Sequence, residues 1–440
     1  RDWSSDVCSS DLDADIAAPQ ATDPLSSSGN YPGCSAFFKQ RLLFARTDNN
    51  PQSIYGSRVG DFQNNNISTP VQDDDAYTIT LDSDQVNEIR WMERLNDLII
   101  GTSGGEFKMS AGENTPTSIK IVDQSSWGVA NIQPIKIGTS LIFVDGSGSR
   151  VRDLIFSFAI DGYEGSDLTI LAQHLFETYK ITEWAYARQP DSIVWAVRED
   201  GIVCGLTYNK EHQVFGWHRH ETNGIFESVA SIQTSEGVND VYFIVKRTIN
   251  GSTVRYIERL SARDFTTIED AYFVDCGLTY DSTPATTISG LFHLEGEEVS
   301  VLADGNVVSG LTVSSGSITL PNAASVVHVG LAYTCDLETL GFDYPSREGA
   351  VQDKVRDISS VFVNLRNTRE MFVGQDEDNL VETKFRSTED YGDPTALFNG
   401  NKEVSIKPGT LNEAKVFIRV TSPVPITVGS ITPRLTNGRL

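Results

Sequence analysis

The chain has 440 residues, 35 Lys and Arg against 60 Asp and Glu, and a formal net charge of −25. So acidic a chain repels nucleic-acid phosphates and anionic lipid headgroups, which argues against a tight sequence-specific DNA binder or a membrane-surface protein. Its length suffices for a core without disulfide staples, about three domains on length alone, and no apolar run approaches the roughly 20 residues of a bilayer-crossing helix.

The first twelve residues, Arg1 to Leu12, resemble the conceptual translation of a sequencing adaptor and lack an initiator Met. Residues 1–12 are therefore predicted to be an artefact, set aside from fold reasoning, with the true N-terminus missing. Removing Arg1, Asp2, Asp6 and Asp11 takes the charge from −25 to −23 and also removes Cys8. The start is polar and acidic, unlike a secretory signal. Residues 13–30 read as a linker.

From residue 31 the chain is predicted to be all-β. Four- to seven-residue runs rich in Val, Ile, Leu and aromatics alternate with Gly, Asn, Asp and Ser turns. Ser35–Ala45 with Ser53–Ser57 looks like a partial first blade. Strand groups then begin at residues 86, 129, 181 and 226, at intervals of 43, 52 and 45. Each group holds three or four strands, the period and count of a β-propeller blade. One blade cannot bury both faces alone, whereas stacked neighbours can. The clearest helical spacing is Leu168, Leu171, Leu175 and Phe176, which predicts a short helix over Ser166–Phe176 with Ser166 or Asp167 as its cap. Propeller blades are assigned to 31–265. The texture changes over 266–345, where short strands and an Asp304-Gly305-Asn306 hairpin turn predict an inserted small β-barrel. Blade-like strands resume over 346–440 and close the propeller.

Cys34, Cys204, Cys276 and Cys335 show no zinc-type spacing. Cys204 sits in an apolar run and reads as a buried thiol. Cys276 and Cys335 flank one segment and could meet, but without an oxidising context free thiols are expected. The Asn66 and Asn250 sequons read as chance.

No catalytic constellation emerges. Gly101-Thr102-Ser103-Gly104-Gly105 has the letters of a nucleophile elbow, but a strand follows it where that motif needs a helix. It and Gly146-Ser147-Gly148-Ser149 read as hairpins, and there is no phosphate-binding Gly-Lys-Ser/Thr. His218 and His220 alternate on one strand and share a face, yet lack a third ligand. Asp73-Asp74-Asp75 lacks calcium-loop spacing and reads as a solvated acidic loop. Asp82 and Asp84 share a strand face as candidate paired acids, with no cleft to serve. Trp91, Trp184, Trp195 and Trp217 recur at equivalent blade positions and read as core more than as sugar-stacking platforms. No catalytic, cofactor-binding or metal residues are assigned, and no cofactor is implied.

Two stretches carry a family likeness. One runs from Tyr31-Pro32-Gly33 through Phe37–Ala45 and Asn50–Phe62. The other is Glu88–Met92, Leu98–Thr102 and Gly105–Phe107. With Ser125-Ser126-Trp127-Gly128 and the Trp-rich run from Arg188 to His220, they resemble the tail tubular (nozzle) proteins of short-tailed bacteriophages. The likeness covers most of 31–260 and the region after 350. The insert near 285–335 resembles the small barrel labelled FCCH-type in phage tail proteins, with no ubiquitin chemistry implied. The resemblance implies a non-enzymatic virion protein, made in the host cytoplasm and not inserted in a membrane. It implies a homohexameric ring below portal and adaptor, meeting tail fibre proteins and extending the channel through which genome DNA leaves. The family's N-terminal platform is absent. Acidic walls that repel DNA without holding it suit such a conduit. The alternatives are a glycan-binding or receptor-contacting propeller and a polysaccharide depolymerase using Asp82 and Asp84.

Overall fold

The computed structural model describes residues 24–83, 85–110, 112, 115–342, 356–407 and 414–437. Residues 1–12, most of the expected linker and Asp84 lie outside them. The described chain is all-β, and its eight sheets are small and antiparallel. It divides into two compact units: one comprises the chain up to His220 with Ser228–Asn239, the other Glu221–Glu227 with everything from Asp240 onward.

The first unit is four propeller-like blades, each an antiparallel sheet of four strands taken in chain order. Blade one is Cys34–Phe38, Arg41–Ala45, Ser53–Gly56 and Tyr77–Thr80, and blade two is Ile89–Arg94, Leu98–Thr102, Glu106–Met109 and Ile121–Ser125. Blade three is Ile135–Ile137, Ser140–Val144, Val151–Ser157 and Gly162–Asp167, and blade four is Ile181–Ala187, Ile193–Arg198, Val203–Asn209 and Val214–His220. Blade one is therefore complete and not partial, because Tyr77–Thr80 pairs with Ser53–Gly56 across a long polar loop that hides the connection in the sequence.

Stacking explains why the second strands read as unbroken apolar runs. Every residue of Leu98–Thr102, Ser140–Val144 and Ile193–Arg198 is buried. Leu98 and Ile100 pack towards Phe38, Leu43 and Ile54 of blade one. Ile99 points the other way, with Trp91, to Leu141 and Phe143 of blade three. Ile142 and Val144 in turn meet Val194, Ala196 and Leu206 of blade four. Each such side chain contributes about 1.5–3 kcal/mol on full burial, so a strand buried on both faces loses the period-2 alternation of a half-solvated one.

A backbone link repeats between blades. The amide of Ile89 donates to the Pro51 carbonyl, that of Val129 to Thr102, and that of Ile181 to Gly148. Each time, the turn between the second and third strands of one blade receives the chain at the start of the next.

The predicted helix over Ser166–Phe176 does not form. Ser166 and Asp167 end the outer strand of blade three, paired with Asp153 and Arg152, and only Gln173–Leu175 makes one 3-10 turn. Asp167 caps a local turn instead, its carboxylate accepting from the Thr169 amide at 2.8 Å. The apolar spacing comes from a loop that drops Phe176 against Trp217, ring centroids 4.8 Å apart, and leaves Leu171 at 93% exposure.

The second unit contains the antiparallel pair Asn239–Ile249 and Ser252–Arg259. Next, where a small barrel is expected, comes one four-stranded sheet in the order Asp275–Ser289, Ser317–Leu331, Glu298–Ala303, Asn306–Thr312, whose end strands do not pair with each other among the described residues. Its two fifteen-residue strands bend through irregular register around a private core that includes Val301, Leu320, Val327 and Val329. Asp304 and Gly305, with φ of 42° and 73°, form the expected hairpin turn. After it, Arg356–Thr368 lies between Phe398–Ser405 and Val428–Asn437. A second sheet runs Cys335–Glu338, Phe417–Val420, Phe372–Gly374, Val381–Glu382. Val361, Val363, Val373 and Ile418 share one core.

Candidate functional site

The segments Gly105–Phe107 and Ser125–Gly128 come together inside the first unit. Glu106 is fully buried. Its carboxylate accepts from the Ser125 hydroxyl through Oε2, while Oε1 has no partner. Burial pushes its pKa up to about 7, opposed by the Ser125 hydroxyl, the Trp127 amide and the Arg152 charge. Arg152 stacks on the Trp127 ring, its guanidinium carbon 4.4 Å from the centroid, and its Nε is also buried without a partner. A carboxyl that holds a proton near neutrality has the acid–base profile of a catalyst. Glu106, however, is sealed from any substrate, so its role is confined to how blades two and three pack.

His218 and His220 do share a face, as expected, with Nδ1 and Nε2 2.6 Å apart. Trp195 packs edge-on against His218 at 5.5 Å and against His220 at 5.1 Å. Among the described residues no group of three His, Cys, Asp or Glu could hold a metal. His212 sits in a turn, its amide bonded to Asn209.

The acidic triplet is not simply solvated. Asp75 is buried and accepts from the Ser68 amide, the Ser68 hydroxyl and the Gln72 amide. Those bonds hold its carboxyl below the usual range, the Gln72 amide most of all, and Arg58 adds its charge. Fully buried Arg41 donates to the carbonyls of Ser57, Asp73 and Asp75. The loop is thus an anchored cap, because a buried Arg needs several acceptors at once. Asp82 lies beyond the end of Tyr77–Thr80 and is exposed, so it is not on a strand. Its expected partner, Asp84, lies outside the described residues.

Three of the four tryptophans are core residues, with Trp91, Trp184 and Trp195 at 1%, 8% and 5% exposure. Only Trp91 and Trp184 occupy equivalent positions, on first strands, whereas Trp195 is on a second strand and Trp217 on a fourth. Trp217 is half-buried and donates its indole N–H to the Leu168 carbonyl at 2.9 Å. Cys34, Cys204, Cys276 and Cys335 are free thiols. Burial raises Cys34 and Cys204 to about 11 and Cys276 to about 12, so these three stay protonated and unreactive at neutral pH.

In the second unit, fully buried Arg247 joins three segments. It donates to both Glu258 carboxylate oxygens at 2.6 and 2.7 Å, to the Asn223 carbonyl at 2.8 Å, and to Asp275 at 3.2 and 3.4 Å. Burial alone would lower its pKa, but Glu258 and Asp275 together raise it. Asp275 also accepts from Thr222 at 2.5 Å and opens the strand Asp275–Ser289. Sequence reasoning missed both Arg247 and Glu106.

The surface carries large apolar side chains in water. Phe158 is 92% exposed and Ile160 61% on the outer hairpin of blade three, with Ile170 at 64% in the loop beyond. In the second unit Ile257 is 77% exposed.

No family model matches the chain, and no curated protein matches it. Among solved structures it is similar to a Lactobacillus plantarum protein at 10% identity and a TM-score of 0.35, covering 69% of this chain and 89% of that one. It is similar to a luciferin-regenerating enzyme at 10% identity and a TM-score of 0.27, covering 68% and 91%. It is also similar to the N-terminal domain of Nup159 at 11% identity and a TM-score of 0.28, covering 66% and 86%. Scores this low carry no argument about what the chain does.

Proposed function

We propose that the chain is a structural subunit of a short phage tail, a nozzle protein whose copies form a ring that extends the DNA exit channel below portal and adaptor. The observation that carries the reading is surface chemistry. Phe158 and Ile160 stand in water at 92% and 61% exposure on the outer hairpin of blade three, and Ile170 and Leu171 at 64% and 93% in the loop beyond its last strand; large apolar side chains so exposed suit contacts with another protein. The stretches resembling the nozzle family lie in blades one and two and in the last three strands of blade four. The net charge of −25 suits a wall past which DNA slides.

The glycan-binding alternative gains little from the aromatics, because Trp91, Trp184 and Trp195 have no face open for a sugar. The depolymerase alternative loses its strand-borne acid pair, since Asp82 follows the strand.

The test is native mass measurement of the 13–440 chain. A ring of six copies is expected, seen also in electron micrographs. A single copy at every concentration tried would overturn the reading.

A further inference from the structure

We propose that Ser252–Arg259 is an open sheet edge that receives the Cys335–Glu338 edge strand of a second copy of this chain. The inference rests on the ring reading and assigns it a contact.

Ser252–Arg259 pairs on one side with Asn239–Ile249, in unbroken register from Ile249↔Ser252 to Tyr242↔Arg259. It ends its sheet, and among the described residues no strand pairs with its other side. Eight residues without Pro or bulge form the kind of edge that recruits another strand. Thr253, Arg255, Ile257 and Arg259 project to the exposed face, alternating with half-buried Val254, Tyr256 and Glu258. Ile257, 77% exposed, stands directly across from Ile244, 38% exposed. Lys246 stands across from Arg255. The side chains of Arg255 and Arg259 are each 61% exposed, although Arg255 bonds Glu227 at 2.5 Å and Arg259 reaches Asp240 at 3.5 Å. The strip therefore carries Ile244 and Ile257 among three cations, Lys246, Arg255 and Arg259, against two acids, Glu227 and Asp240, a small positive excess in a chain of net charge −25.

The same chain carries a complementary edge. Among the described residues Cys335–Glu338 pairs only with Phe417–Val420 and ends its sheet, and all four of its residues are exposed. Its sequence, Cys-Asp-Leu-Glu, alternates acids with apolar side chains. Arg419 holds Asp336 at 2.7 and 2.8 Å, and Lys415 lies 3.4 Å from Glu338, which keeps both carboxylates in place on the exposed edge. Strand addition draws affinity from backbone hydrogen bonds and specificity from alternate side chains. Asp336 and Glu338, two residues apart on one face, would stand across Arg255 and Ile257 with Arg259 one diagonal step away, while Leu337 turns to the other face beside Tyr256. The two edges are different surfaces, so the contact is head-to-tail, the kind that closes into a ring when the rotation between copies closes.

The experiment uses two charge-reversed forms of the full chain: Arg255→Glu with Arg259→Glu, and Asp336→Lys with Glu338→Lys. Native mass spectrometry and light scattering report copy number, and circular dichroism melts report folding. Each form alone is expected to run as a single copy. Their equimolar mixture is expected to recover the multi-copy state with an even copy number, because alternating forms restore opposite charge at every contact. Ile257→Glu keeps both arginines, sets a carboxylate across from the incoming acids, and is expected to weaken assembly at least about tenfold (about 1.4 kcal/mol); with the first form, it decides the matter if the second form melts early. Wild-type assembly by the first form and by Ile257→Glu overturns this contact and leaves the ring reading standing. A single-copy wild type overturns both.

Discussion

Glu106 joins the sequence to a measurable pH dependence. Its carboxyl titrates near 4.5 in an unfolded chain and at about 7 in the fold. The folded state therefore favours the protonated form. The stability this carries is complete below about pH 4.5 and is lost as pH rises through 7. Glu106→Gln keeps the shape and removes the charge. Urea unfolding should then vary less between pH 5 and 8, with a gain of roughly 3 kcal/mol at most at the alkaline end. An unchanged pH slope would refute this account of the site. Arg247 works in the opposite sense, since its charge is needed. Arg247→Ala leaves Glu258 and Asp275 facing each other without a cation and should cost about 3 kcal/mol in the second unit. Substitution of Asp270, whose carboxylate only meets the Thr267 hydroxyl at 3.1 Å on the surface, should cost under about 1 kcal/mol.

At the scale of strands, glycine and aromatic residues form a repeated pair. Tyr77 lies across Gly56, Trp91 across Gly101, and His218 across Gly205, each directly opposite in register. A Cβ on these glycines would stand 2.6, 2.5 and 2.1 Å from the ring. The ring covers the bare backbone that the glycine exposes, a pairing known to secure register. Gly101→Ala should cost about 1–3 kcal/mol, because Trp91 is 1% exposed and has nowhere to move, and should alter the near-ultraviolet dichroism of that indole. Gly216→Ala, where a Cβ meets nothing within 4 Å, should be neutral. If both behave alike, the pairing has no energetic weight. This scale also shows which parts of the fold were readable. Leu98–Thr102 and Ser140–Val144 announced themselves because burial on both faces demands an apolar residue at every position. Leu168, Leu175 and Phe176 misled because a loop can space its anchors at helical intervals. Asp75 read as solvated because its three donors lie in a loop, and loop hydrogen bonds leave no period in the sequence. Glu106 and Arg247 were hidden because their neighbours come from other strands.

For the molecule as a whole, charge and assembly make linked predictions. If copies associate, only folded chains do so, and the melting temperature must rise with protein concentration by mass action. A rise of several degrees between about 1 and 100 μM is expected by calorimetry, and a flat response would count against assembly. The same chains should not retard duplex DNA at about 0.15 M salt. A clear gel shift there would contradict a passage that lets DNA go.

The amide-to-carbonyl link at Ile89, Val129 and Ile181 sets how the first unit fails and how it can change. Each blade depends directly on its neighbour, so cooperativity passes along the series one joint at a time. Such an array frays from whichever blade lacks a neighbour, and hydrogen exchange would find a gradient of protection instead of one global opening. It can also gain or lose a whole blade between two joints without redesigning the rest, since the incoming blade needs only one turn carbonyl to accept its first amide.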